Sequence, residues 1–141
     1  MFEYNFKLLR VVDGDTVDVD IDLGFGIWMR KQRIRLMGVD TPESRTRDLE
    51  EKKFGLLAKE KLIQLMANSK VIKTFKDEKG KFGRILGDFE VYEYDRWCSV
   101  VEVLIKEHYG VKYSGQSKEA IAEGHLENRK KLMELGIGNI T

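Results

Sequence analysis

Two short segments concentrate side chains suited to phosphate and cation chemistry. The first is Val12-Asp13-Gly14-Asp15-Thr16-Val17. Counted in strand alternation, Asp15 falls on the same side as Val17, Val19 and Ile21, the apolar side. A carboxylate facing inward at a strand start is costly unless a cation, an arginine or escape to water at a barrel rim offsets it. The second segment is Arg35-Leu36-Met37-Gly38-Val39-Asp40-Thr41-Pro42-Glu43, with one guanidinium, two carboxylates and a proline-fixed turn. Strict alternation separates Arg35 from Asp40, and a bulge at Gly38 would bring them to one cleft. Hard cations such as calcium take carboxylate and carbonyl oxygens, which Asp15, Asp40 and the backbone near Thr41 offer. Glu43 could hold a water as general base, and Arg35 could fork onto a phosphodiester. A turn closed by a surface ion pair accounts for the same residues.

An EF-hand is excluded by counting. From Asp13, the sixth position is Asp18 where glycine is required, and the twelfth is Gly24 where glutamate is required. A third segment, Lys79-Gly80-Lys81-Phe82-Gly83-Arg84, is a glycine-rich basic turn with an aromatic, suited to a nucleic-acid backbone. Taken by itself, this segment is better explained as an ordinary hairpin with solvated lysines.

The elements that must position these groups follow from hydrophobic period. Phe6 to Val12 predicts a strand, followed by turn chemistry at Asp13-Gly14-Asp15. Val17, Val19, Ile21 and Leu23 alternate with Asp18, Asp20 and Asp22, predicting a half-buried strand with its acids toward water. Gly24-Phe25-Gly26 marks a hairpin, and Lys31 to Val39 a further strand. From about Asp48 to Asn68, Phe54, Leu57, Ala58, Leu62, Leu65 and Met66 recur at helical spacing. Val71 to Phe75 and Ile85 to Tyr92 predict two more strands. Ser99 with Glu102 is a capping-box pattern, so a helix should follow with Val103 and Leu104 inward. A third helix is expected from about Ser117 to Leu135, stopped by Gly136. The expected fold is α+β: a five-stranded OB-type Greek-key barrel with three helices, one domain over 1–141.

Composition limits the alternatives. The 141 residues are 35% charged and 42% hydrophobic, which fits a globule rather than a wholly disordered chain. No apolar run is long enough for a membrane helix. The first ten residues carry Glu3, Lys7 and Arg10 and do not read as a signal peptide, so a cytoplasmic location is expected, or a secreted one if a leader precedes. A single cysteine, Cys98, excludes an internal disulfide and a cysteine zinc cluster, and is expected in the core. The net charge of +1 conceals an acidic stretch from Asp13 to Asp22 followed by Arg30, Lys31, Arg33 and Arg35. Such neighbouring patches suit a protein that binds both a cation and a phosphate, or a hairpin laced by cross-strand ion pairs. His108 and His125 lack a neighbouring acid and nucleophile pattern and read as structural or surface residues. Arg129-Lys130-Lys131, interleaved with Glu127 and Glu134, reads as a solvated helix face.

Taken together, the three segments resemble the staphylococcal-nuclease-like (thermonuclease) family, and the order of helices and strands extends the resemblance over nearly the whole chain. The resemblance implies calcium bound by Asp15, Asp40 and the Thr41 carbonyl, and Glu43 as general base or organiser of the attacking water. It implies Arg35 and Arg84 as phosphate-gripping arginines, Lys81 and Phe82 at a terminal phosphate, and Tyr113 against a nucleotide. It further implies DNA or RNA as substrate and 3′-phosphate products; a monomer without membrane contact is expected. There are three departures. Phe82 lacks the hydroxyl of the family's tyrosine. Gly138 stands where the family often has tryptophan. The hairpin between Asp22 and Arg30 is longer than in the secreted prototype, which would bear on access to the metal site or on substrate preference. The competing expectation is a catalytically silent OB-fold module that binds nucleic acid or peptide. Retention of Asp15, Arg35, Asp40, Glu43 and Arg84 together speaks for catalysis.

Overall fold

In this computed structural model, residues 2–75 and 83–138 are described. Three long strands come first: β1 (Phe2–Asp13), β2 (Thr16–Gly24) and β3 (Ile27–Leu36). A two-residue strand, β4 (Val39–Asp40), precedes helix α1 (Leu49–Met66). Next come β5 (Ser69–Thr74), β6 (Ile85–Glu93), β7 (Arg96–Ser99), α2 (Val100–Lys106), β8 (Val111–Lys112) and α3 (Lys118–Glu134).

The main sheet runs β3-β2-β1-β5-β6-β7, and β3 also pairs with β6. That extra pairing closes β1, β2, β3, β6 and β5 into a five-stranded barrel, with β7 appended, in line with the expected α+β barrel with three helices. Closure removes the free edges that an open sheet would present. The closing seam is parallel and short: Ile34, Arg35 and Leu36 pair with Ile85, Leu86 and Gly87. Val17, Val19, Ile34, Ile72, Phe89 and Val91 fill the interior, fully buried. Leu62 and Leu65 of α1, with Val103 and Leu104 of α2, cover the barrel's end.

Local chemistry sets the helix boundaries. Asp48 caps α1 by accepting from the amides of Glu50 and Glu51, Ser99 caps α2 through the Glu102 amide, and Ser117 caps α3 through the Ala120 amide. Each satisfies a donor that the first turn leaves without a helical partner. Gly136, at φ +80°, ends α3 as expected.

Two expectations need correction. The alternating acids do not all face water. Asp20 is buried, its carboxylate accepting from the Lys31 amide at 2.8 Å and from Arg30 at 3.1 Å. The cause is an irregularity in the β2–β3 register between Val19 and Ile21, where Lys31 takes φ +54° and turns its N–H toward Asp20. The hairpin between Asp22 and Arg30 also does not border the predicted metal site. It turns tightly at Phe25-Gly26, both with positive φ, while the opposite end of the same strand pair joins Thr16 to Arg35. Its length therefore extends the barrel away from Asp15 and Arg35.

Helix α1 rests directly on the segment that carries Glu43. A Cβ at Gly55 would run into the Glu43 carbonyl and lie 2.8 Å from the Pro42 carbonyl oxygen. Alanine is the better helix former by about 1 kcal/mol. The backbone it would strike cannot rotate aside, and overpacking of this kind costs about 1–3 kcal/mol. Gly55→Ala is therefore expected to lower the melting temperature despite its helix propensity. A rise in melting temperature would show that the Pro42-Glu43 backbone yields freely.

Candidate active site

Asp15 sits in the turn between β1 and β2 and is 9% exposed. Its Oδ2 accepts from the Thr41 amide at 3.2 Å, and Thr16 Oγ1 donates to its Oδ1 at 3.0 Å. The turn is packed closely. A Cβ on Gly14 would lie 2.7 Å from Thr41 Oγ1 and 2.8 Å from the Ala58 side chain, so only glycine fits beneath α1. The Asp13-Gly14-Asp15 turn is thereby held against Thr41, two residues before Glu43.

Gly38 provides the break in alternation that the sequence suggests. Its φ is +87°, β3 stops at Leu36, and the chain resumes as β4, paired with β8. Arg35 then folds back over this turn. Its Nη1 donates to the carbonyls of Leu36 and Val39, both at 2.8 Å. The same guanidinium lies 3.5 Å from Asp15 Oδ2 and 3.6 Å from Asp40 Oδ1. Arg35, Asp15 and Asp40 are thus brought to one place from three elements.

Glu43 is exposed just beyond, and its amide approaches Glu51 Oε1 at 3.4 Å. Partial burial pushes its carboxyl above the ordinary glutamate range, and the charges of Asp13, Asp15, Asp40 and Glu51 push it further. Burial likewise raises Asp15, against the pull of Arg35 and the Thr41 amide. These acids act on one another through a shared environment, which an added cation would relieve.

The donor set is hard oxygen and suits a hard divalent cation. Asp15 and Asp40 are the residues that would hold it, with the Thr41 backbone beside them. Among the described residues no three carboxylate, imidazole or thiol side chains form a ready-made cage. A bound ion would therefore complete its shell with carbonyl and water oxygens, as calcium and magnesium commonly do.

The remaining predicted residues fall into two groups. Arg84 immediately precedes β6, one position before the Ile34–Ile85 pairing, and so lies along the seam that carries Arg35. Tyr113 donates its amide to the Gly38 carbonyl at 2.9 Å and leaves its ring half exposed next to the turn. Lys81 and Phe82 lie outside the described residues. Gly138, at φ +82°, lies against α1, where a Cβ would meet the Phe54 ring at 3.2 Å.

One contact was not expected. His125 Nε2 of α3 lies 2.7 Å from Asp40 Oδ2. The spacing of His125, Asn128 and Leu132 on one helical face was the available signal, since Leu132 marks that face as the inward one.

Comparison with known proteins gives the family. The family model described as staphylococcal nuclease homologue matches residues 33–135. A thermonuclease of Staphylococcus hyicus is 35% identical over 85 residues, covering 60% of this chain and 47% of its own length. An uncharacterised protein of Bacillus anthracis is 27% identical over 135 residues, covering 94% of this chain and 58% of its own. An uncharacterised protein of Methanocaldococcus jannaschii is 28% identical over 155 residues, covering 96% and 72%. The chain thus spans about half the length of the first two. Asp15 lies ahead of the stretch matched by the family model, and its place in the site rests on geometry. Arg35, Asp40, Thr41, Glu43, Arg84 and Tyr113 all fall within that stretch, in a closed barrel of the expected order, and the chain belongs to the family of staphylococcal nuclease homologues.

Proposed function

We propose that residues 1–141 form a single nuclease domain, acting as a monomer, that hydrolyses phosphodiester bonds of DNA, with RNA as a second substrate, and depends on calcium. The observation that carries this reading is the Arg35 guanidinium set between Asp15 and Asp40, with Glu43 under the field of both. The thermonuclease relatives support the same activity.

Asp15, Asp40 and the Thr41 carbonyl would hold the calcium. Calcium bound there would supply charge neutralisation at the scissile phosphate. Glu43 receives the proton of the attacking water as its oxygen bonds to phosphorus. Arg35 and Arg84 donate to the equatorial oxygens, where charge grows in the transition state. The bond from phosphorus to the 5′ oxygen breaks, leaving a 3′-phosphate on one fragment and, after the departing oxygen takes a proton from solvent, a 5′-hydroxyl on the other. Tyr113 offers an exposed ring for a base, and Lys81 and Phe82 supply contacts to the nucleic-acid backbone. No described helix is long and apolar enough to cross a membrane.

Digestion of single- and double-stranded DNA and of RNA under a calcium titration tests the proposal. Cleavage should appear at millimolar calcium, on the order expected for a site with few protein ligands, and should vanish with a chelator. Binding without cleavage at any calcium concentration would replace it with the silent nucleic-acid-binding module.

A further inference from the structure

The Asp40 carboxylate is held from two sides. Oδ1 faces Arg35 of β3 at 3.6 Å, and Oδ2 meets His125 Nε2 of α3 at 2.7 Å. An ionised carboxylate only accepts, so the proton in the second contact belongs to His125 Nε2. The histidine side chain is 13% exposed, so the bond forms largely out of water, where its geometry is better fixed than at an open surface.

Close packing brings this imidazole to Asp40. Val111 of β8 pairs with Asp40 of β4. Gly124, immediately before His125, lies against Val111, where a Cβ would approach the valine side chain to 2.9 Å. Gly110, immediately before Val111, lies against Val39, where a Cβ would collide with the valine methyl. These two glycines stack α3, β8 and β4 at a separation that any side chain would widen. Asn128 Nδ2, three residues past His125, donates to the Gly110 carbonyl at 3.1 Å and fixes the rotation of α3 about its axis. Leu132 continues the same face into the interior. The C-terminal helix is thus anchored so that one imidazole reaches the site.

We propose that His125 is a positioning residue for Asp40, its Nε2 hydrogen bond orienting the carboxylate that binds calcium. The proposal rests on the reading of Asp40 as a calcium ligand given above. Hydrogen bonds to a ligating side chain restrict its orientation, and their loss commonly lowers metal affinity about 10–100-fold.

The test is calorimetric titration of calcium into the full chain, three single variants and one double variant, with melting in chelator recorded for each. Asp40→Asn should remove most calcium affinity. His125→Ala should weaken calcium about tenfold or more, and should add nothing when placed on Asp40→Asn. His125→Gln, whose amide nitrogen reaches the Nε2 position, should recover most of the affinity. Wild-type affinity in His125→Ala, with Asp40→Asn defective, overturns the role of His125 and leaves the metal site standing. Equal losses of affinity in the alanine and glutamine variants, each tracking a lower melting temperature, also overturn it and mark a packing contact alone. A wild-type chain that takes up no calcium overturns both the site reading and this proposal.

Discussion

Glu43→Gln is expected to lower kcat by about 10²–10⁴-fold, the usual contribution of a positioned general base, with the barrel intact. Glutamine keeps the shape and removes the proton acceptor. The fold should not suffer, because the Glu43 carboxylate is a burden in the metal-free state. Its proton affinity is raised, first by burial and then by Asp13, Asp15, Asp40 and Glu51. A carboxyl raised in the folded state binds more protons there than in the unfolded chain. Stability is therefore lost as pH climbs from the ordinary glutamate range through the raised value. Glutamine does not titrate. In chelator, the melting temperature of the wild type should fall relative to Glu43→Gln across that window, and at neutral pH the variant should melt no lower. Steady-state digestion and a series of melts from pH 4 to pH 8 check both statements. Full activity in the variant would remove Glu43 from the chemistry.

The second large effect is at Arg35, and it should differ in kind. This guanidinium serves two purposes at once. Nη1 bonds the carbonyls of Leu36 and Val39, holding the turn that returns the chain toward Asp40. The whole group also offsets the charges of Asp15 and Asp40. Lysine has a single compact ammonium and cannot span both carbonyls while facing two carboxylates. Arg35→Lys should cost about 10²–10³-fold in kcat, by analogy with removing an oxyanion donor. Unlike Glu43→Gln it should also lower stability, since each carbonyl left without its donor costs about 1–3 kcal/mol. The paired readout, turnover and melting temperature, separates the two residues. Wild-type turnover with lysine at this position would mean that the planar fork has no part in gripping the phosphate.

Much of this architecture was legible from local pattern. Val17, Val19 and Ile21 announced a strand by their period of two, and α1 announced itself by the recurrence of Phe54, Ala58, Leu62 and Leu65. Ser99 and Ser117 marked helix starts because capping is a property of a few adjacent residues. Gly38 could be read as the break that reconciles Arg35 with Asp40, since alternation is simple enough to show where it must fail. Other features were not readable in the same way. Strands β4 and β8, two residues each, are too short to carry a period. The burial of Asp20 depends on a bulge in the partner strand at Lys31, so its own alternation misleads. His125 and Asp40 are 85 positions apart, and only the tertiary stacking of Gly110 and Gly124 makes them neighbours. Gly55 resembles any helical glycine until the Glu43 backbone is seen against it.

The barrel closes along its shortest joint, three parallel residue pairs between Ile34–Leu36 and Ile85–Gly87. Parallel pairing is slightly weaker per residue than antiparallel, and opening begins where the fewest bonds must break. Arg35 belongs to that joint. Opening of the molecule is thereby expected first at the rim that carries Arg35, while the long antiparallel strands behind it stay zipped. Backbone amides that bond across this joint should trade protons with solvent ahead of the rest of the barrel wall, and a polymer seated on Arg35 would act as the clasp that shuts it.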